Sequence, residues 1–207
     1  MFKKVCPNHW AEMCMLMLFG MSTSAFSQEF IRAKIGLKVI SEDIIKNAKS
    51  KDKLKKGDKL RLFIEPEVNT YVYVVHADRK SVSLLTNSPV QLTKANERVV
   101  LPSPSEYYEI DGTSAIEKLA ILCSPARLNN VEAFFSVEKP SPAEWEKMEL
   151  AFIEKSKIDL NEKTEKPYAI AGNVRNVEQQ NEQFLSALNT YSGKSLVLKR
   201  YEFRVKK

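Results

Sequence analysis

The strongest constraint on this chain is a period of two. Ile35, Leu37 and Val39 alternate with Lys34, Gly36 and Lys38, and Leu60, Leu62 and Ile64 alternate with Arg61, Phe63 and Glu65. Successive side chains of a strand point to opposite faces, so this pattern fits a sheet buried on one side and does not form the stripe of a helix. Residues 31–40 are therefore predicted as a first strand. Lys56-Gly57-Asp58 reads as a turn, and Pro66-Glu67-Val68-Asn69-Thr70 breaks the strand before it. Tyr71 to Val75 starts the next strand, and Ala77-Asp78-Arg79-Lys80 is a polar hairpin turn leading to a strand at 81–86. Further strands are expected at 98–101, 107–110 and 118–124. Short strands separated by polar loops predict a mainly β fold, an antiparallel β-sandwich or barrel-like core, with α+β as the alternative.

Helical signals are fewer. Ser41 before Glu42-Asp43-Ile44-Ile45 reads as a short capped helix. Ser141-Pro142-Ala143-Glu144 combines an N-cap serine, proline at the first helical position and glutamate for a capping box. Trp145, Met148 and Phe152 then recur at helical spacing. Residues 161–166 form a charged connector, and 168–171 a strand. Asn176 caps a second helix that carries Val177, Phe184, Leu185, Leu188 and Tyr191 on one face and ends at Gly193. Val197, Tyr201, Phe203 and Val205 share one face of a closing strand, expected to pair with the core. Two or three peripheral helices thus decorate the β core over about 130–192, and the closing strand covers about 195–205. With no repeat and no long linker, residues 28–207 read as one domain.

The N-terminal segment has its own logic. Lys3 and Lys4 precede the apolar run Met13 to Met21, and Ala25-Phe26-Ser27 offers small residues at both recognition positions of a peptidase site. This order predicts a cleavable secretory signal peptide over residues 1–27, with Gln28 first in the mature chain. The run is too short to span a bilayer, which takes about 20 apolar residues, and neither Cys6 nor Cys14 sits in a lipoprotein box. The expectation is an exported chain, periplasmic or secreted, without a membrane span. Cleavage would leave Cys123 as the sole cysteine, so no internal disulfide could form. A chain of about 180 residues buries enough core without one. Cys123 falls in Leu119-Ala120-Ile121-Leu122-Cys123, a run typical of a buried strand, and free cysteine is commonly inert there.

The chain carries 32 basic and 26 acidic residues, a net charge of +6. Much of the excess lies in Lys46-Asn47-Ala48-Lys49-Ser50-Lys51-Asp52-Lys53-Leu54-Lys55-Lys56. Such a stretch attracts anionic polymers or lipid headgroups. It lacks the arginines and aromatic residues that read or stack on bases, so no nucleic-acid partner is expected.

The order of features from Leu54 to about Arg127 resembles the bacterial domain-of-unknown-function 4384 family. The matching segments are Leu54-Lys55-Lys56-Gly57-Asp58-Lys59-Leu60-Arg61-Leu62, Tyr71-Val72-Tyr73-Val74, Val82-Ser83-Leu84-Leu85, Arg98-Val99-Val100-Leu101-Pro102 and Leu119-Ala120-Ile121-Leu122-Cys123-Ser124. The resemblance implies an all-β core and an accessory role. It carries over no catalytic residue, because its motifs are turn and core positions. Two positions depart from the pattern: Thr86-Asn87 follows the leucine pair, and Ile116-Glu117-Lys118 precedes the late strand.

Chemistry-bearing constellations are scarce. Beyond residue 27, His76 is the sole histidine, so a thiol nucleophile would need the pair Cys123 and His76. One histidine and one buried cysteine make a poor zinc set. His76-Ala77-Asp78 resembles a ligand pair, although a hairpin turn accounts for Asp78 equally well. The carboxylates Glu65 and Glu67 have the residue types of a glycosidase pair, a combination that chance supplies readily among so many acids. Tyr71, Tyr73, Tyr107 and Tyr108 could form a stacking surface or simply pack on a half-buried sheet. The resulting expectation is an exported, non-enzymatic envelope accessory or binding module acting on an envelope protein or cell-wall polymer. No catalytic, cofactor-binding or metal-binding residue is assigned. Two alternatives stay open: a cryptic thiol hydrolase using Cys123 and His76, and lysine-rich attachment to anionic envelope surfaces.

Overall fold

The computed structural model describes residues 30–42, 44–157 and 188–206. The predicted signal segment, the connector at 161–166, the strand at 168–171 and most of the helix beginning at Asn176 lie outside them. Two sheets face each other across an apolar core. The first contains β1 (Ile31–Ser41), β2 (Ile44–Asn47), β4 (Lys59–Pro66), β8 (Val99–Leu101), β9 (Tyr108–Glu109) and β11 (Asn189–Gly193). The second contains β3 (Lys53–Lys55), β5 (Thr70–Ala77), β6 (Val82–Leu84), β7 (Leu92–Thr93), β10 (Ile116–Ser124) and β12 (Val197–Lys206). The order is β11-β1-β4-β8 in the first, with β2 on β1 and β9 on β4, and β3-β12-β10-β5-β6 in the second, with β7 on β5. The architecture is thus a β-sandwich, with every pairing antiparallel except β12 with β3.

The period of two is what holds the sheets together. Ile31, Ala33, Ile35, Leu37 and Val39 of β1 and Leu60, Leu62 and Ile64 of β4 point inward from one side. Val72 and Val74 of β5, Leu119, Ile121 and Cys123 of β10, and Val197, Tyr201, Phe203 and Val205 of β12 meet them from the other. Each large side chain removed from water in this way contributes about 1.5–3 kcal/mol. The second sheet is buried on its outer face too. Tyr73, Val75, Ala120 and Leu122 pack there under α1 (Asn129–Phe135) and α2 (Pro142–Ser156), whose anchors are Val131, Trp145 and Phe152. Ser141 caps α2, its hydroxyl accepting from the Glu144 N–H, as the capping pattern predicts.

Two expectations need correction. Residues 44–47 form an edge strand and not a capped helix: Ser41 pairs directly with Ile44 and Lys38 with Asn47, so the chain folds back on β1. Glu42 supplies the turn with φ 48°, and cross-strand hydrogen bonds outweigh a local capping signal. The helix expected to run to Gly193 also fails at its end. Asn189–Gly193 is β11, paired with β1 through Ile31–Gly193 and Ala33–Tyr191. In that region the apolar spacing of Leu188 and Tyr191 fitted a helix, but the open edge of β1 claims the segment.

Candidate functional site

One end of the sandwich opens into a cavity of about 290 Å³ between the sheets. β4 begins there, β5 ends there, β10 begins there and β12 comes to its close. These strands contribute Leu60, His76, Glu117, Leu119 and Phe203 to its walls. The 77–82 hairpin adds Asp78 and Ser81, and the 108–113 segment adds Tyr108, Glu109, Ile110, Asp111 and Thr113. The turn at Lys56-Gly57-Asp58 fixes that last segment. Gly57, at φ 86°, donates to the Ile110 carbonyl, and Ile110 donates back to that of Asp58. Asp58 is buried and accepts from the Lys55 N–H at 2.8 Å. A larger groove of about 440 Å³ lies outside the second sheet against the start of α2, where Glu149 is buried and paired with Arg200 at 2.9 Å.

The inward row of β10 reads Glu117, Leu119, Ile121, Cys123, so an ionisable group ends an otherwise apolar series. Glu117 is 7% exposed. Its Oε2 accepts from His76 Nε2 at 2.5 Å, and β5 places that imidazole on the same inward face. The pairing satisfies a carboxylate that burial would otherwise penalise. Asp78 is held more elaborately. One oxygen accepts from the Lys80 and Ser81 N–H groups, both at 2.6 Å, and the other from the Ser114 hydroxyl at 2.8 Å. Burial pushes its carboxyl up, but these bonds outweigh it and the net shift is downward. Asp111 accepts from the N–H and hydroxyl of Thr113, and these two bonds lower its carboxyl. The cavity is therefore lined by four acidic residues, Asp78, Glu109, Asp111 and Glu117, and one histidine, together with Leu60, Leu119 and Phe203.

The residues singled out from sequence are scattered. Cys123 is fully buried between the sheets, and burial pushes its thiol up to about 12. Cys123 pairs with Val72 while His76 pairs with Leu119. Four residues of strand therefore separate them, about 13 Å, outside hydrogen-bond reach. Glu65 bonds Lys34 at 2.9 Å and Arg98 at 2.8 Å, and the Lys34 bond leads in lowering its carboxyl. Glu67 uses its N–H to reach the Arg32 carbonyl. The four tyrosines form no common surface. Tyr73 is buried beneath α1, Tyr71 lies 5.4 Å from the Arg127 guanidinium, Tyr107 stacks at 3.7 Å on Arg61, and Tyr108 lines the cavity. Among the described residues, no three His, Cys, Asp or Glu side chains are grouped to hold a metal ion, and no helix is long and apolar enough to cross a membrane.

Sequence reasoning noticed His76 and Asp78 but not that they line one cavity with Glu117 and Asp111. The usable signal was Glu117 at an inward position, visible once the register of β10 is known. No family model, curated protein or solved structure matches this chain, so the site rests on its own geometry.

Proposed function

We propose that this chain is an exported, non-catalytic binding module of the cell envelope whose end cavity captures a positively charged group on an envelope protein or cell-wall polymer. The observation that carries the reading is the cavity lining. Four acidic residues and one histidine line a space of about 290 Å³, together with the buried apolar side chains of Leu60, Leu119 and Phe203. A pocket with an apolar floor and a few convergent polar groups is the usual form of a ligand site. Here the sign of the charge selects an amine or guanidinium with an aliphatic or aromatic stem. Glu117 has the strongest leverage, because a buried carboxylate attracts a cation through a medium of lower dielectric than water.

A matched pair of probes tests this. In an NMR titration, phenethylamine should shift the amides of Leu119, Asp111 and Phe203, while phenylacetate at equal concentration should not. Glu117→Gln should weaken the amine by about tenfold, the cost of one charge-assisted hydrogen bond. Asp111→Asn, at an exposed position, provides a second variant that does not touch the core. Equal response to both probes, or amine binding untouched by both variants, would refute the reading.

A further inference from the structure

A second feature lies along the lateral edge of the sandwich. Between β2 and β3 the chain crosses from one sheet to the other, anchored inward by Ala48 and Leu54. The Ala48 N–H bonds the Leu37 carbonyl, and the Lys51 N–H bonds that of Glu202. The lysines of this crossing are turned outward: Lys46, Lys49, Lys51, Lys53, Lys55 and Lys56 are all exposed. The parallel pairing of β3 with β12 then adds two cations from the far end of the chain. Arg204 stands opposite Lys53, and Lys206 opposite Lys55. Like charges directly opposite in a ladder are destabilising, so this arrangement works against the fold. Of the lysines, Lys55 has an ion pair, to Glu42 at 2.7 Å. No ion pair engages Lys46, Lys49, Lys51, Lys53, Lys56, Arg204 or Lys206 among the described residues. Asp52 faces the strip, where it accepts from the Lys49 N–H, and Glu202 sits beside it opposite Lys118.

The strip also carries apolar side chains where an edge strand would ordinarily be polar. Ile44 is 66% exposed and shares one face of β2 with Lys46, while Ile45, 48% exposed, lies on the other face. Lysine gives compact point charges suited to a diffuse anionic field, not the planar fork of arginine suited to specific phosphates. An exposed isoleucine beside such charges matches a bilayer interface, where apolar side chains enter the acyl boundary and lysines meet the headgroups.

We propose that this edge, comprising Ile44 with the lysines of 46–56 and the recruited Arg204 and Lys206, is a peripheral docking surface for a bilayer rich in anionic lipid. It is distinct from the end cavity and does not depend on the cation-capture reading.

Co-sedimentation of the full-length chain with phosphatidylcholine vesicles, with and without phosphatidylglycerol, tests the proposal. The parent-to-variant ratio carries the result, since the apolar N-terminal run is common to every variant. Lys46→Gln with Lys53→Gln should lower partitioning to the anionic vesicles roughly 25-fold, about fivefold per charge. Arg204→Gln with Lys206→Gln should lower it similarly, although these residues are remote in sequence from the lysine run. Ile44→Ser should lower it several-fold without altering its salt dependence, and Lys94→Gln, on the opposite edge of the second sheet, should leave it unchanged. Added salt should weaken binding steeply. Four outcomes would overturn the proposal. One is equal binding to both vesicle types. The second is loss with the lysine pair but not with Arg204 and Lys206, which marks a linear charge effect. In the third, Ile44→Ser changes nothing and soluble polyglutamate competes fully, which marks an acidic protein partner. In the fourth, the strip variants bind as the parent does but aggregate, which marks lysines that only guard an open sheet edge.

Discussion

Cys123 provides the sharpest test of whether this fold can act through a thiol. The perturbation is alkylation with iodoacetamide at pH 8 of chain produced from Gln28 onward, in which Cys123 is the sole cysteine. Two routes lead to product. In direct attack on the folded state the nucleophile is the thiolate. Burial raises this thiol from 9.0 to about 12. The thiolate fraction at pH 8 then falls from about one in ten to about one in 10⁴, a ~1000-fold loss before access is considered. The alternative route waits for local opening, after which the thiol reacts normally. Cys123 is on β10, which is bonded on both sides by β5 and β12, so opening approaches global unfolding. Even 5 kcal/mol of stability suppresses this route by ~10³ or more. The native rate should therefore be at least ~1000-fold below the rate in concentrated guanidinium, as followed by mass spectrometry. Native labelling within about tenfold of the denatured rate would refute the reasoning. If His76→Ala also slowed that labelling, the thiol–imidazole alternative would be restored.

Other consequences are equally open to measurement. Tyr73→Phe keeps the ring but removes a hydroxyl that accepts from the Leu128 N–H at 2.8 Å and donates to Glu132 at 3.2 Å. The orphaned N–H should cost about 1–3 kcal/mol, seen as a lower urea midpoint at unchanged slope, and an unchanged midpoint would contradict it. Alkaline titration should also destabilise the fold. Burial raises Cys123 from 9.0 and Tyr73 from 10.0, each to about 12. The unfolded chain therefore loses these protons first, so stability is intact below pH 9 and lost as pH rises toward 12. Denaturation curves at a series of pH values would show this, and a flat profile would contradict it. Gly193→Ala would place a Cβ 1.9 Å from the Leu196 carbonyl oxygen while pairing with Ile31 holds the backbone. A loss of about 1–3 kcal/mol is expected in thermal melts, and an unshifted Tm would show that the turn yields.

The β core was legible because its inward rows are apolar and its outward rows polar, as in Leu60-Arg61-Leu62 and the face shared by Tyr201, Phe203 and Val205. Polar punctuation placed the turns at Gly57 and Asp78 equally well. What escaped depended on partners remote in sequence. Ile44 and Ile45 looked helical because their strand partners, Ser41 and Ile40, reach them only after the chain reverses. Tyr191 fitted a helical stripe because nothing local signals the vacant edge of β1. The short helix α1 lacks a side-chain cap, with Leu128 at its N-cap position, so it offered little to read. The cavity is the extreme case. Asp78, Asp111 and Glu117 come from three separate segments, and no spacing rule joins them.

The position of β12 sets the order in which this molecule can be built. It lies between β3 and β10, and among the described residues β3 has no other strand partner. Leu54 therefore waits for Val205, and Lys53 for Arg204, each 151 positions later in the chain. A chain emerging progressively from a ribosome or a narrow pore can form the β1–β4 and β5–β10 ladders early. Its second sheet stays incomplete, and part of its core open to water, until residues 197–206 arrive. Such late closure favours slow, all-or-none maturation. For a chain that we propose to be exported, it also leaves the second sheet open until β12 has been threaded.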